Sequence, residues 1–73
     1  MESRPMDALG RARDKKVLVD LKGGRQLTGI LRSFDLHINI VLDELEERID
    51  GQVTRKLGTV FVRGDTIIMI SVA

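Results

Sequence analysis

The fold of this chain is decided by residues 27–39, which read Leu27-Thr28-Gly29-Ile30-Leu31-Arg32-Ser33-Phe34-Asp35-Leu36-His37-Ile38-Asn39. Leu27, Gly29 and Leu31 share one face at the period of two that is typical of a β-strand. Gly29 lies inside this strand, where a residue without a Cβ leaves room for a sharp bend. Because strongly bent short strands favour closure, the stretch predicts a small β-barrel and not a flat sheet.

The same stretch ends in a polar connection that we interpret as both a turn and a candidate site. In an extended conformation Asp35, His37 and Asn39 would point to one side, and Leu36 and Ile38 to the other. A carboxylate, an imidazole and an amide would then lie together above a hydrophobic floor.

The rest of the chain predicts one short helix and four further strands. A hydrophobic spacing of three predicts a helix over about 3–15, with Ser3 as a candidate cap. The pairs at 23–24 and 50–51 contain glycine and fit tight turns between strands. The predicted strands are 16–22, Gln26–Phe34, Ile38–Glu47, Val53–Val62 and Thr66–Val72.

Length and composition restrict the class of protein. The 73 residues fit one domain with a modest core, which oligomerisation would help to stabilise. The absence of cysteine disfavours a secreted disulfide scaffold, and no apolar run of signal-peptide length begins the sequence, so we expect a soluble cytoplasmic protein. Phe34 and Phe61 are the only aromatic residues, so stacking on bases would have to come from His37 or from arginines.

Charge is divided along the chain although its net value is only +1. Residues 1–34 contain eight basic residues (Lys or Arg) and four acidic ones (Asp or Glu). Residues 35–50 contain one basic and six acidic residues, and residues 51–73 contain three basic residues and one acidic residue. This separation permits a local nucleic-acid site but argues against coating of phosphate backbones by bulk charge. The acids between 43 and 50 lack the glycine-bearing loop of a calcium site, so we expect a solvated hairpin end.

The C-terminal part predicts free strand edges and a second polar turn. The last strand, Thr66–Val72, carries no charge or proline to protect its edge. Five short strands do not easily close fully, so we infer that edges pair head to tail between subunits and form a ring. The turn Arg63-Gly64-Asp65 precedes this strand, and together with the first turn it offers flat His and Arg groups and an amide that can read a base edge.

Two motifs follow one another at a specific spacing: Leu27-x-Gly29-x-Leu31-x-x-Phe34-Asp35-x-His37-x-Asn39-x-x-Leu42, and Leu57-Gly58-x-Val60-x-Val62-Arg63-Gly64-Asp65-x-Ile67. They closely resemble the two-part signature of the Sm and Sm-like proteins, and most of all the archaeal ones. The resemblance implies a mainly β fold, in which a short N-terminal α-helix precedes a five-stranded, strongly bent antiparallel small barrel of the Sm type. It implies a single domain over 1–73, with the first motif at about 16–47 and the second at about 53–72.

The resemblance also implies a function. Proteins of this kind form rings, usually heptamers, by pairing of their fourth and fifth strands, and bind uridine-rich single-stranded RNA around the central pore. We therefore expect a non-catalytic homo-oligomer in RNA processing, with other RNA-processing proteins as candidate partners and with no cofactor, metal or membrane. The implied RNA-binding positions are the stacking residues His37 and Arg63, the uracil-reading Asn39, the closely approaching Gly64 and the supporting acceptors Asp35 and Asp65.

Two alternatives belong to other functional classes. The first is a ring that serves as a scaffold for proteins, whose RNA affinity would be non-specific and would collapse with salt. The second is a metal-dependent hydrolase that uses Asp35 and His37. The single histidine, the lack of a second carboxylate at ligand spacing and the lack of a nucleophile beside a base disfavour this enzyme.

Overall fold

The computed structural model describes residues 4–72 and is mainly β, as predicted. Within these residues no helix is long and apolar enough to cross a membrane. The elements in chain order are α1 (Pro5–Arg11), β1 (Lys16–Leu21), β2 (Arg25–Phe34), β3 (Ile40–Ile49), β4 (Gln52–Leu57), β5 (Val60–Val62), a turn of 3-10 helix (Gly64–Thr66) and β6 (Ile67–Val72).

The strands form one antiparallel sheet with the order β4-β3-β2-β1-β6. β5 follows β4 along the same side of β3, where Ile40 pairs with Val62 and Leu42 with Val60. In the described part of the chain, β5 therefore has a strand partner on one side only, and so has β6, which pairs with β1. These are the free edges that the uncharged C-terminal sequence predicted.

The irregularity that the sequence predicted at Gly29 is present where β2 pairs with β3. The register shifts between positions 28 and 30 of β2, so that Gly29 faces a bulge of β3 in which Glu44 has a φ of 52°. A Cβ on Gly29 would lie 2.9 Å from the carbonyl oxygen of Asp43, which is closer than real Cβ atoms come to backbone. Gly29 is therefore required by space, and the close crossing lets the sheet curve.

The alternating residues of β1, β2 and β3 build the core inside this curve. Leu31, Ile40 and Leu42 are fully buried, and Ala12, at the end of α1, closes one side. Leu9 packs partly against the same cluster, so the helix covers the core that the sheet leaves open. The buried cluster comprises Ala12, Val17, Val19, Leu21, Leu27, Leu31, Ile40, Leu42, Leu45 and Val62.

The main differences from the predicted bounds concern the helix and the third and fourth strands, while the ends of the other strands shift by one residue. The helix is shorter than 3–15 because the chain reverses at Asp14, which has a φ of 65° and whose N–H donates to the Leu31 carbonyl at 2.7 Å; the predicted cap Ser3 lies outside the described residues. The third strand begins at Ile40. The predicted fourth strand is divided at Gly58, beside which the Thr59 hydroxyl donates to Asp43 at 2.5 Å.

The prediction of a solvated acidic hairpin end is wrong for Glu47, which is only 6% exposed. Its carboxylate accepts two hydrogen bonds from Arg55, at 3.1 and 3.3 Å, one from the Thr54 hydroxyl at 3.0 Å and one from Arg25 at 3.4 Å. The Arg55 guanidinium, followed by Thr54, lowers the pKa of Glu47. The Glu47 carboxylate thus links β2, β3 and β4, and it stays ionised because its charge is paired and hydrogen-bonded.

Candidate functional site

Strand pairing brings the two polar turns together. Because Ile40 of β3 pairs with Val62 of β5, the residues just outside this pair, Asn39 and Arg63, leave the sheet at the same end. Each turn is therefore held at its base by a strand that contributes to the buried core. This register brings together two turns that lie about two dozen residues apart in the sequence.

The first turn is organised by Asp35. Its Oδ1 accepts the backbone N–H groups of His37, at 2.8 Å, and Asn39, at 3.1 Å, while its carbonyl accepts the N–H of Ile38 at 3.1 Å. The predicted extended alternation is wrong here, because Ile38 has a φ of 59° and the chain turns. Asp35 instead lies inside the turn, where it accepts backbone hydrogen bonds.

The side-chain amide of Asn39 links the first turn to the second. Its Nδ2 donates to Oδ2 of Asp35 at 3.0 Å, and its Oδ1 accepts the backbone N–H of Gly64 at 2.7 Å. One N–H and one oxygen lone pair of the amide stay available for a ligand, with their orientation fixed by these two bonds. The same Asn39 bond, followed by the backbone bond from His37, lowers the pKa of Asp35.

Gly64 is required by the close approach of the two turns. A Cβ at this position would overlap the carbonyl oxygen of His37 and lie 2.7 Å from the carbonyl carbon of Ile38. Gly64 therefore lets the two turns of the chain come close together, and its predicted close approach to RNA stays a prediction.

Arg63 and Asp65 form the outer side of the second turn. The Arg63 Nη2 donates to Oδ2 of Asp65 at 2.8 Å, with both side chains exposed. An exposed pair of this kind adds little stability. The Arg63 carbonyl accepts the Thr66 hydroxyl at 2.7 Å, which fixes the start of the 3-10 turn.

The result is an open cleft with one hydrogen-bonding group and two flat side chains. It is lined by His37, Asn39, Arg63, Gly64 and Asp65, which are five of the six predicted site residues; Asp35 lies behind Asn39. An imidazole and a guanidinium both offer planar surfaces for stacking, and the amide offers one donor and one acceptor. Within residues 4–72 no three metal-ligating side chains come together.

Ile38 is the site residue that sequence reasoning missed. The period-two pattern placed it on the hydrophobic floor of an extended strand, whereas its left-handed backbone creates the turn. A β-branched residue gives no sequence signal for this conformation, because such residues rarely adopt it.

The LSM domain model matches residues 7–72 of the chain. The chain belongs to the LSM family. An snRNP Sm-like protein of Methanococcoides burtonii is 46% identical over 71 residues, which cover 97% of this chain and 99% of the relative. Among solved structures, the Sm protein of Pyrococcus abyssi in complex with a uridine heptamer has a TM-score of 0.94 and 41% identity, covering 97% of this chain and 100% of that one. A heptameric archaeal Sm protein has a TM-score of 0.86 and 45% identity, covering 92% and 97%.

These likenesses confirm the resemblance that the two sequence motifs carried and the Sm-type fold that it implied. In this LSM chain the first motif supplies β2, the Asp35 turn and the start of β3, and the second supplies β5 and the Arg63 turn.

Proposed function

We propose that this LSM-family protein forms a ring, a homoheptamer, that binds uridine-rich single-stranded RNA through one nucleotide pocket per subunit. The pocket consists of Asn39 as the base-reading group, His37 and Arg63 as stacking groups, and Asp35, Gly64 and Asp65 as supports. The role is binding without catalysis, in RNA processing and ribonucleoprotein assembly in the cytoplasm. Residues 1–73 act in this proposal as a single domain.

The observation that carries the proposal is the fixed amide of Asn39 in a cleft that two planar side chains, His37 and Arg63, also line. Uracil has an N3–H donor between two carbonyl acceptors, so it can pair with one N–H and one oxygen of the amide in either of two orientations. Cytosine can pair with the same groups in one orientation only, because its N3 is an acceptor. Stacking on His37 and Arg63 adds about 1–3 kcal/mol per base and tolerates any base.

The ring follows from the free edges of β5 and β6. Both edges carry exposed hydrophobic side chains, Phe61 on β5 and Ile68 and Met69 on β6, and neither strand carries a charge. Pairing of β5 with β6 of the next copy would satisfy the backbone groups on both edges and cover these side chains. A relative whose structure is described as heptameric supports seven subunits.

Repetition around the ring supplies the affinity. One pocket binds a single nucleotide weakly, but a strand that occupies several pockets gains from the high effective concentration of the remaining ones. Few phosphate contacts are needed, which agrees with a net charge of +1. The competing function, a protein scaffold with non-specific RNA affinity, would draw its binding from phosphate contacts and would lose it with salt.

Fluorescence anisotropy with labelled oligo-U and oligo-C tests the pocket. We expect the wild type to prefer oligo-U, and Asn39→Ala to remove most of that preference. Arg63→Ala should lower affinity about 5- to 100-fold through lost stacking. Lys56→Ala is the matched control, since it removes the same charge from a side chain that is 75% exposed on β4, outside the cleft. An unchanged preference in Asn39→Ala together with an unchanged affinity in Arg63→Ala would contradict the pocket assignment.

Native mass spectrometry tests the ring. The expected species is a closed heptamer, and a Phe61→Glu variant, which places a charge on the β5 edge, should yield smaller species. A stable monomer of the wild type at micromolar concentration would refute the ring. In that case each pocket would bind RNA alone, and affinity would not increase with oligonucleotide length.

A further inference from the structure

Ile38 has a backbone conformation that is rare for its residue type. It lies between His37 and Asn39 and has a φ of 59°. For an L residue the left-handed region brings Cβ close to the following carbonyl oxygen, which disfavours it about 5- to 30-fold, and branching at Cβ makes the crowding worse. Some other interaction must therefore hold Ile38 in this conformation.

The side chain of Ile38 packs against the core and faces a cleft beside the helix. It is half-buried and packs against the core cluster. It also lines an apolar cleft between α1 and β6, together with Leu9 of the helix and Ile70 of the strand. The helix contributes no residue to the base-binding cleft, yet His37 and Gly64 line both clefts.

The backbone of Ile38 is held from the other side by the second turn. Its N–H donates to the Asp35 carbonyl at 3.1 Å, and its carbonyl oxygen would lie 2.8 Å from a Cβ on Gly64. Packing of the side chain and close contact of the backbone therefore act on the same residue. A rotation at Ile38 would change the direction of both His37 and Asn39.

We propose that Ile38 is a positioning residue for the nucleotide site: packing of its side chain against the core, in the cleft beside α1, holds the left-handed turn that directs His37 and Asn39 into the cleft. This inference rests on the proposed function for its effect on RNA. The helix then acts on the pocket through Ile38 without touching the base. Loss of the buried side chain releases the turn even when the new residue tolerates a positive φ better than isoleucine does.

Ile38→Gly in the full chain tests this inference. Glycine removes the strain together with the anchor, so we expect oligo-U affinity to fall about ten-fold and the ratio of oligo-U to oligo-C affinity to fall with it. Ile38→Met refills the apolar cleft with a flexible side chain and should keep affinity within about three-fold. Leu9→Ala, on the helix, should shift affinity in the same direction as glycine at position 38.

Glu44→Gly is the matched control. Glu44 also has a positive φ, of 52°, but it is exposed and lies in the β3 bulge, away from both clefts. Glycine there relieves the backbone without removing a buried side chain, so affinity and base preference should stay at the wild-type level. An equal loss in Glu44→Gly and Ile38→Gly would show general loosening and would overturn the assignment.

Amide hydrogen exchange gives a readout without RNA. The Gly64 N–H, which donates to Asn39, should exchange about ten-fold faster in Ile38→Gly, while the N–H of Val19 in β1 should not change. Unchanged Gly64 exchange with unchanged base preference would refute the proposal.

If the wild type shows no uridine preference, the proposed function fails, but the exchange result still decides the role of Ile38. Should the glycine variant not fold, Ile38→Val must show a smaller effect in the same direction, and no effect would refute the idea.

Discussion

Replacement of Gly64 by alanine should separate the two polar turns. Gly64 has no positive φ, so alanine suits its backbone and the effect depends on space alone. The new Cβ would lie 2.7 Å from the Ile38 carbonyl carbon, and ordinary contact begins at 3.4 Å, so the turns must move apart by at least about 0.7 Å. Both obstacles, the carbonyls of His37 and Ile38, are backbone and cannot rotate away as a flexible side chain would.

The expected decrease in the free energy of unfolding of Gly64→Ala has two parts. Overpacking of this kind costs about 1–3 kcal/mol. A separation of 0.7 Å would also lengthen the hydrogen bond from Gly64 to Asn39, now 2.7 Å, to about the limit at which such a bond exists, and its loss costs about 0.5–1.5 kcal/mol. We therefore expect Gly64→Ala to lower the free energy of unfolding by about 1.5–4.5 kcal/mol. Oligo-U affinity should fall by about ten-fold or more, because the Asn39 amide loses its orientation.

Gly58→Ala is the control for this prediction. A Cβ on Gly58 meets nothing within 4 Å, and its φ is also not positive, so the same chemical change should leave stability within about 0.5 kcal/mol of the wild type. Thermal unfolding by calorimetry and anisotropy with oligo-U measure the two effects. If Gly64→Ala melts and binds like Gly58→Ala, the contact between the turns does not position the site.

Three further predictions concern charge and packing. Asp35→Ala should weaken oligo-U binding at neutral pH. In the wild type, folding lowers the pKa of Asp35, so the carboxylate stays ionised and the turn should lose its stabilisation only as pH falls below about 4. A binding titration from pH 3 to 8 measures this pH dependence. Glu47→Gln should lower the melting temperature by several degrees at pH 7 because it leaves Arg55 without its anionic partner, and the difference from wild type should shrink in acid. Leu31→Ala, in the core, should cost about 2–5 kcal/mol in a urea titration, whereas Leu36→Ala, at a side chain that is 81% exposed, should change stability by less than about 0.5 kcal/mol.

The sequence predicted those parts of the fold that depend on local periodicity. The alternation in β1 and β2 and the glycine inside β2 led to the buried faces and to the bend, because each depends on a residue's own position in a strand. The two turns were singled out as a candidate site because their motifs place polar groups between hydrophobic strands. The roles of the individual residues came from the resemblance to Sm-like proteins and stay predictions.

Features that depend on tertiary contacts could not be predicted in the same way. Glu47 was expected in solvent, and its burial depends on Arg25 and Arg55, which lie on two neighbouring strands. The division between β4 and β5 depends on a hydrogen bond from Thr59 to Asp43, a residue 16 positions earlier. The left-handed Ile38 packs against core residues that are distant in sequence, and its residue type gives no signal for this backbone.

The register of β3 against β5 explains why the motifs are informative as a pair. A slip of one residue would turn Val62 out of the core and would also move Arg63 away from Asn39, so the packing and the site depend on the same pairing. The buried alternation of Ile40, Leu42 and Val62 therefore specifies a contact between two exposed polar turns. Each turn alone is a common connection between strands, and the hydrophobic pattern between them is what makes them one site.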